Sequence, residues 1–278
     1  MVSLDYLLRF IDEDAPFGDV TSETVISDIR CHAEISSERT GIIAGLCEAD
    51  MLFSHYGVTV EQVAQDGQKV KAGDTLLVLH GDAKKILLVE RTALNIIGRM
   101  SGIATQTREM VDIVSAVNGQ CRIAATRKTC PGFRALDKKA VQIGGGDPHR
   151  ETLSDGILIK DNHLALVPLT NAIAAAKKAT LYKKIEVEVE TPADALLAAS
   201  AGADIILLDN MNPGQVKTTL DAIRDKGLRD RVTIELSGGI DRTSLRNFAA
   251  LNVDVISMGA LTHSVQNFSV KLEIKPEI

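Results

Sequence analysis

Tryptophan is absent from this 278-residue chain, and Phe and Tyr bring the aromatic share to only 3%. A core of that composition must be built from Val, Ile, Leu and Ala, which suits a parallel sheet covered by helices. The same scarcity argues against binding single-stranded nucleic acid, which needs aromatic platforms for base stacking. Positive charge is also in deficit. Lys and Arg number 31 against 37 Asp and Glu, a formal charge of 31 − 37 = −6, which argues against duplex DNA as a partner. No CxxC pair occurs among Cys31, Cys47, Cys121 and Cys130, so neither a zinc site nor a thioredoxin-type motif is indicated. The four read as reduced, mostly buried thiols. No apolar run approaches the ~20 residues of a membrane-spanning helix. The N-terminus has no basic start and meets Asp5 early, unlike a secretion signal. A soluble, cytoplasmic protein is expected.

The hydrophobic content of 45% is enough for a substantial core, and the length fits one large or two ordinary domains. Two rhythms divide the chain. Residues 1 to about 103 mix a short helix, Leu4 to Glu13, with a turn at Pro16 to Gly18 and strand-like runs at Cys31 to Ser36 and Val58 to Val63. Turn dipeptides Asp66-Gly67 and Gly73-Asp74 flank short strands at Lys69 to Val70 and Thr75 to His80. A long helix is read from about Ile86 to Val117.

From Arg122 onward short apolar runs alternate with helical stretches. The runs begin at Arg122, Gly156, Ile185, Ile205, Val232 and Val255. Between them lie helix candidates near 134–143, 168–179, 192–201, 213–226 and 242–251. Thr191 and Asn212 are good N-caps, each followed by a proline where a first helical turn tolerates it. Such alternation implies a parallel sheet covered by helices. Polar residues fall at the carboxyl end of nearly every run, and in a barrel those ends converge on one mouth. The expected architecture is an incomplete α/β (TIM-like) barrel.

Chemistry concentrates between Thr126 and His163. This acidic chain gathers Arg127, Lys128, Arg134, Lys138, Lys139, His149, Arg150, Lys160 and His163 there, as a multiply anionic small ligand would require. Lys138 and Lys139, inside a helix, read as solvated surface charge. Arg127, Lys128, Arg150 and Lys160 stand where they would repel one another without an anion between them. Glu188 and Asp209 end adjacent strands, where two carboxylates hold Mg²⁺ or neutralise the cations. Glu186 and Glu190 share the parity of Glu188, and either could replace it as ligand. Glu235 reads as a support residue. Ser237-Gly238-Gly239 ahead of a helix offers free backbone N–H groups to a phosphate, and Gly259 repeats the device. Gly144 to Gly146 reads as a sharp exit from a helix.

These residues lie in ordered motifs: EDAPFGDVTSE at 13–23, ERTALNIIGRMSGIAT at 90–105, TRKTCPGFRALDKKAV at 126–141 and GGGDPHR at 144–150. LIKDNH at 158–163, EVEVE at 186–190, ILLDN at 206–210, ELSGGI at 235–240 and GALTHS at 259–264 follow. Nearly end to end, the chain resembles the quinolinate phosphoribosyltransferase (nicotinate-nucleotide pyrophosphorylase, carboxylating) family. The resemblance implies an N-terminal α/β sandwich domain at 1–103, a barrel at 104–265, and a segment at 266–278 returning to the first domain. It implies a homodimer with a shared active site. The implied reaction joins quinolinate to phosphoribosyl pyrophosphate with Mg²⁺, giving nicotinate mononucleotide, pyrophosphate and CO2 for NAD biosynthesis.

Position by position, Arg127, Lys128, His149, Arg150 and Lys160 match the family's anion pocket, and Arg91 the arginine given across the dimer interface. Glu188 and Asp209 match the acids at the ribose and metal. Ser237, Gly238, Gly239 and Gly259 match the 5′-phosphate cradle. Lys128, Glu188 and Asp209 are the implied catalytic groups. One position departs from the pattern: Pro148 stands where the family usually has Asn, Ser or Thr, and it brings no backbone donor. A molybdenum-operon-associated homologue, or a phosphoribosyltransferase for another base, therefore stays open as the alternative. Lys160, retained in KDNH, favours the enzyme.

Overall fold

The computed structural model describes residues 2–276; residues 277 and 278, the tip of the expected C-terminal segment, lie outside the described residues. Two compact units emerge. One comprises the described parts of Met1–Arg108, Cys130–Gly145 and Ser264–Ile278, the other Glu109–Thr129 and Gly146–His263. Strands are numbered in chain order: β1 Arg30–Ser37, β2 Gly41–Ile42, β3 Thr59–Gln62, β4 Lys69–Val70, β5 Thr75–Asp82, β6 Arg122–Ala124, β7 Ile157–Ile159, β8 Ile185–Val189, β9 Ile205–Asp209, β10 Thr233–Ser237, β11 Val255–Ser257 and β12 Val270–Pro276.

The first unit carries an antiparallel sheet in the order β12-β1-β5-β3. Strict alternation along β1 puts Cys31, Ala33, Ile35 and Ser37 inside. On the other edge of β1, β12 pairs from Cys31↔Pro276 to Ser37↔Val270. Two helices of this unit went unread in the sequence, Val20–Val25 and Leu46–His55. The second begins from Gly45 at φ 95°, a left-handed start without a side-chain cap, and its first amide donates to Asp66 Oδ1.

Helix Arg134–Ile143 also belongs to this unit. Its Asp137 is fully buried and takes a two-pronged grip from Arg99 at 2.7 and 2.8 Å. The expectation that Lys138 and Lys139 are surface charge is overturned. Lys138 is fully buried, and Lys139 Nζ donates to the buried Glu48 at 2.7 Å. The helix sits inside a packed unit instead of on an outer face, so its amphipathic period does not show which charges meet water. The helix ends at Gly144 and the chain turns through Gly145 at φ 92°, the sharp exit read from the glycine run.

The second unit holds six parallel strands in the order β6-β11-β10-β9-β8-β7. Period two sorts their side chains. Ile123, Val187, Ile206, Leu208, Ile234, Leu236 and Ile256 join the apolar core, with residues of the covering helices Leu169–Ala179, Pro192–Ala201 and Pro213–Asp225. The alternate positions, among them Glu186, Glu188, Leu207, Glu235 and Ser257, face two cavities instead. The helices start where the sequence placed caps: Thr191 Oγ1 accepts from Asp194 N–H, and Asn212 and Gln215 form a reciprocal capping box. At the β6 edge a single parallel bridge joins Ala124 to Asp147. The barrel is incomplete, as expected, with six strands and one bridge.

Two of the four cysteines, Cys47 and Cys130, are exposed, so the expectation of mostly buried thiols holds only for Cys31 and Cys121. No helix among the described residues is long and apolar enough to cross a membrane.

Candidate active site

All six strands of the parallel sheet send residues from at or near their carboxyl ends to one cavity of about 410 Å³. Thr126, Arg127 and Lys128 come from the turn after β6, and Leu158 and Lys160 from β7 and its exit. Glu188, Asp209, Ser237 and Ser257 come from β8 to β11. His149 and Arg150 enter from the segment beyond the Asp147 bridge. The sheet curls enough for six strand ends to share one hollow, which an open sheet would spread along an edge.

The cations are arranged for an anion. Arg127 Nε is buried with no hydrogen-bond partner, a donor whose lost hydration nothing in the protein replaces. Arg127 and Arg150 both line the cavity, and burial, with next the like charge of Arg127, pulls the Arg150 pKa down. Arg150 Nη1 donates to the Gly156 carbonyl at 3.2 Å. Lys160 Nζ donates to Glu188 Oε2 at 2.6 Å. The Lys128 carbonyl accepts from Thr262 Oγ1 at 2.8 Å, which ties down the loop that carries the lysine.

Asp209 sits beside these groups. Burial, and next the Glu188 charge, raise its pKa, although Asn210 Nδ2 donates to it at 2.7 Å. Glu188 and Asp209, both lining one cavity, form a hard-oxygen donor set of the kind Mg²⁺ takes. Of the other acids on and just after β8, Glu190 is exposed and lies outside the cavity lining, while Glu186 is buried.

His149 has φ 55°, in the left-handed region, and its N–H donates to Asp147 Oδ1 at 2.7 Å. That turn carries both His149 and Arg150 to the cavity. Pro148 costs no ladder bond: the bridge uses the amide and carbonyl of Asp147, bonded to Ile123 and Ala125. His149 Nε2 lies 3.6 Å from Glu186 Oε2 and 3.4 Å from Glu235 Oε2. Burial disfavours an imidazolium here, but the two glutamates outweigh it and raise the His149 pKa to about 10. The Arg150 N–H, however, donates to Nδ1 at 2.8 Å. An accepting Nδ1 leaves the ring proton on Nε2, so the extra proton of the cluster rests on a carboxylate. Glu186 is the fitting host, its pKa raised by burial and by Glu235. These three residues bring ligand-type atoms within 4.8 Å of one another, yet a protonated Nε2 has no lone pair for a metal.

The glycine motif differs from its expected form. The helix after Ser237-Gly238-Gly239 starts only at Leu245, and Asp241 Oδ1 takes the Thr243 and Ser244 amides. The cradle is a left-handed turn, not a helix start. Gly238 and Gly239 have φ 91° and 61°, and their amides have no hydrogen-bond partner among the described residues. Gly259 leaves room for a lysine: a Cβ there would meet Lys128 Cδ at 3.0 Å. Neither Gly238, Gly239 nor Gly259 is among the residues lining the cavity, whereas Ser237 is.

Of the nine cations in the 126–163 segment, five line the cavity: Arg127, Lys128, His149, Arg150 and Lys160. His163 instead caps its own short helix, with Nδ1 accepting from the Lys160 amide. Arg134, Lys138 and Lys139 belong to the other unit, as does Arg91, which is exposed on helix Ala83–Ser115. The sequence reading missed Thr126 and Ser257 as lining groups and the pairing of Glu186 with Glu235. Their strand parity was a usable signal for the glutamates.

Both halves of the chain are similar to known proteins. Residues 19–101 match the model of the quinolinate phosphoribosyl transferase N-terminal domain, and residues 103–273 that of the C-terminal domain. A probable nicotinate-nucleotide pyrophosphorylase [carboxylating] of Methanothermobacter thermautotrophicus is 44% identical over 98% of this chain and 99% of its own. The nicotinate-nucleotide pyrophosphorylase [carboxylating] of Rattus norvegicus is 33% identical over 97% of this chain and 90% of its own. The solved nicotinate-nucleotide pyrophosphorylase of Francisella tularensis superposes with a TM-score of 0.91 at 33% identity, covering 99% of this chain and 98% of that one. With both domain models matched in order and relatives aligned nearly end to end, the chain belongs to the quinolinate phosphoribosyltransferase family.

Proposed function

We propose that this chain transfers phosphoribosyl from phosphoribosyl pyrophosphate to quinolinate and releases nicotinate mononucleotide, pyrophosphate and CO2. The observation that carries this reading is the Arg127–Arg150 pair: two guanidiniums facing one space, one with a buried, partnerless Nε. A dicarboxylate supplies the missing acceptors, and a planar fork grips a carboxylate with two bonds. Arg127, Arg150, Lys160 and His149 hold quinolinate. Ser237 with the open amides of Gly238 and Gly239 takes the 5′-phosphate, and Gly259 lets Lys128 cross toward the pyrophosphate.

Positioning and electrostatics do most of the work in such a transfer. The pyridine nitrogen attacks the anomeric carbon as the bond to pyrophosphate breaks, and positive charge develops on the ribose. Glu188 and Asp209 favour that charge, and Lys128 takes the charge of the leaving group. Mg²⁺, held by Glu188 and Asp209, supplies further neutralisation of the pyrophosphate when bound. The pyridinium then stabilises the electron pair left at ring C2 as CO2 departs, and a proton taken from solvent forms the C2–H bond of the product. Arg150 and Lys160 keep the second carboxylate in place.

In this reading the enzyme works in the cytoplasm as a homodimer, with Arg91 completing the partner's site. Purified protein with quinolinate, phosphoribosyl pyrophosphate and Mg²⁺ yields nicotinate mononucleotide, while nicotinate in place of quinolinate yields little. Absence of product across pH and metal conditions would sink the reading. Lys128→Ala is expected to abolish turnover and keep the fold. Mixing it with Arg91→Ala restores part of the activity if the site is shared between protomers.

A further inference from the structure

Beneath the substrate cavity lies a second one of about 330 Å³, toward the amino ends of the strands. His149, Arg150 and Glu235 line both and form the partition between them. An imidazole at such a partition has room to drop away from the upper cavity unless something holds it. Glu186 on β8 and Glu235 on β10 reach it from two strands, and both lie on Nε2. They are only 4% and 2% exposed, and each keeps one oxygen, Oε1, buried without a partner. Two carboxyl groups buried together are costly where apolar residues would pack as well, and side chains of that kind concentrate where a site needs them. On its other side the imidazole accepts the Arg150 amide at Nδ1, so a shift of the ring is passed directly to the Arg150 backbone.

We propose that Glu186 and Glu235 are positioning residues for the dicarboxylate pocket. They hold the Nε2–H of His149 from below and so fix the imidazole, and through Nδ1 they fix the backbone from which Arg150 enters the cavity. This rests on the reading of His149 and Arg150 as quinolinate contacts. The acids hold and do not react, so their loss falls on the recognition of quinolinate and spares that of the sugar donor.

The test is a double-mutant cycle read by calorimetric binding of quinolinate and by steady-state kinetics. Glu235→Leu is expected to raise the Kd and KM for quinolinate at least tenfold and to leave the KM for phosphoribosyl pyrophosphate within twofold. Glu235→Gln, which keeps an acceptor oxygen, returns the quinolinate constants to within threefold of the parent. In a His149→Ala background, Glu235→Leu adds less than twofold, because residues acting as one unit are not additive. The same pattern is expected of Glu186→Leu. Where leucine prevents folding, Glu235→Asp, which draws the carboxylate back by one methylene, is read in the same cycle. A folded variant whose two KM values rise alike, or whose effect multiplies fully with that of His149→Ala, overturns the positioning role. If His149→Ala itself binds quinolinate as the parent does, the assignment of His149 as a substrate contact falls instead.

Discussion

Lys160 Nζ lies 2.6 Å from Glu188 Oε2, the lysine leaving β7 and the glutamate on the neighbouring β8. Both line the same cavity, and in the proposed reading the pair joins the carboxylate-binding half to the half that faces the ribose. Lys160 is 41% and Glu188 15% exposed in their side chains, so the pair contributes only about 0–1 kcal/mol to folding. Lys160→Met is therefore expected to shift Tm by no more than a few degrees. It should raise the quinolinate KM at least tenfold and lower kcat at least a hundredfold. Kinetic constants within twofold of the parent would remove Lys160 from the site.

Gly238 is at φ 91°, and a Cβ there would stand 2.2 Å from Asn210 Oδ1 and 2.9 Å from the Asn210 amide nitrogen. Backbone, not only a movable side chain, blocks it. Gly238→Ala should cost about 1–3 kcal/mol in stability from the strained backbone alone. It should also raise the KM for phosphoribosyl pyrophosphate more than that for quinolinate. Denaturant unfolding and two substrate titrations separate these effects.

In the first unit, Asp137→Ala leaves the half-buried Arg99 guanidinium without its two-pronged partner. Breaking one side of a buried pair typically costs about 3–5 kcal/mol. The joint change Arg99→Met with Asp137→Leu should cost less than Asp137→Ala alone. A larger loss in the double variant would show that packing, not charge, is what the pair supplies.

The His149 cluster makes folding depend on pH. Its pKa rises from the ordinary 6.5 to about 10 in the folded chain. A raised folded pKa means stability that is fully present below about pH 6.5 and lost as pH climbs through about 10. The difference in unfolding free energy between the parent and His149→Gln should thus shrink steadily from pH 6.5 to 10. A difference that grows or stays flat over that window would contradict the protonated cluster.

Much of the parallel-sheet unit was legible in the chain. Six short runs rich in aliphatic residues stand where β6 to β11 were found, because each strand turns alternate side chains into the apolar core. Polar residues at the run ends marked the mouth, because parallel strands all point their carboxyl ends the same way. Helix Pro192–Ala201 was readable to the residue, since Thr191 and Pro192 mark its start and Gly202 its end. Leu46–His55 was not, since its start rests on a left-handed Gly45 and a distant Asp66. The lysines of helix Arg134–Ile143 misled for a related reason: burial of Lys138 depends on what packs around the helix.

Local composition and period thus determined the strands, the helices with side-chain caps, and the segment rich in cations. Only the tertiary structure decided that His149 stands over Glu186 and Glu235, 37 and 86 positions further along the chain. It also decided that the Gly238–Gly239 amides open from a left-handed turn. Propensity acts over a few neighbouring residues, whereas charge pairing, burial and backbone strain are settled by groups that meet only when the sheet curls.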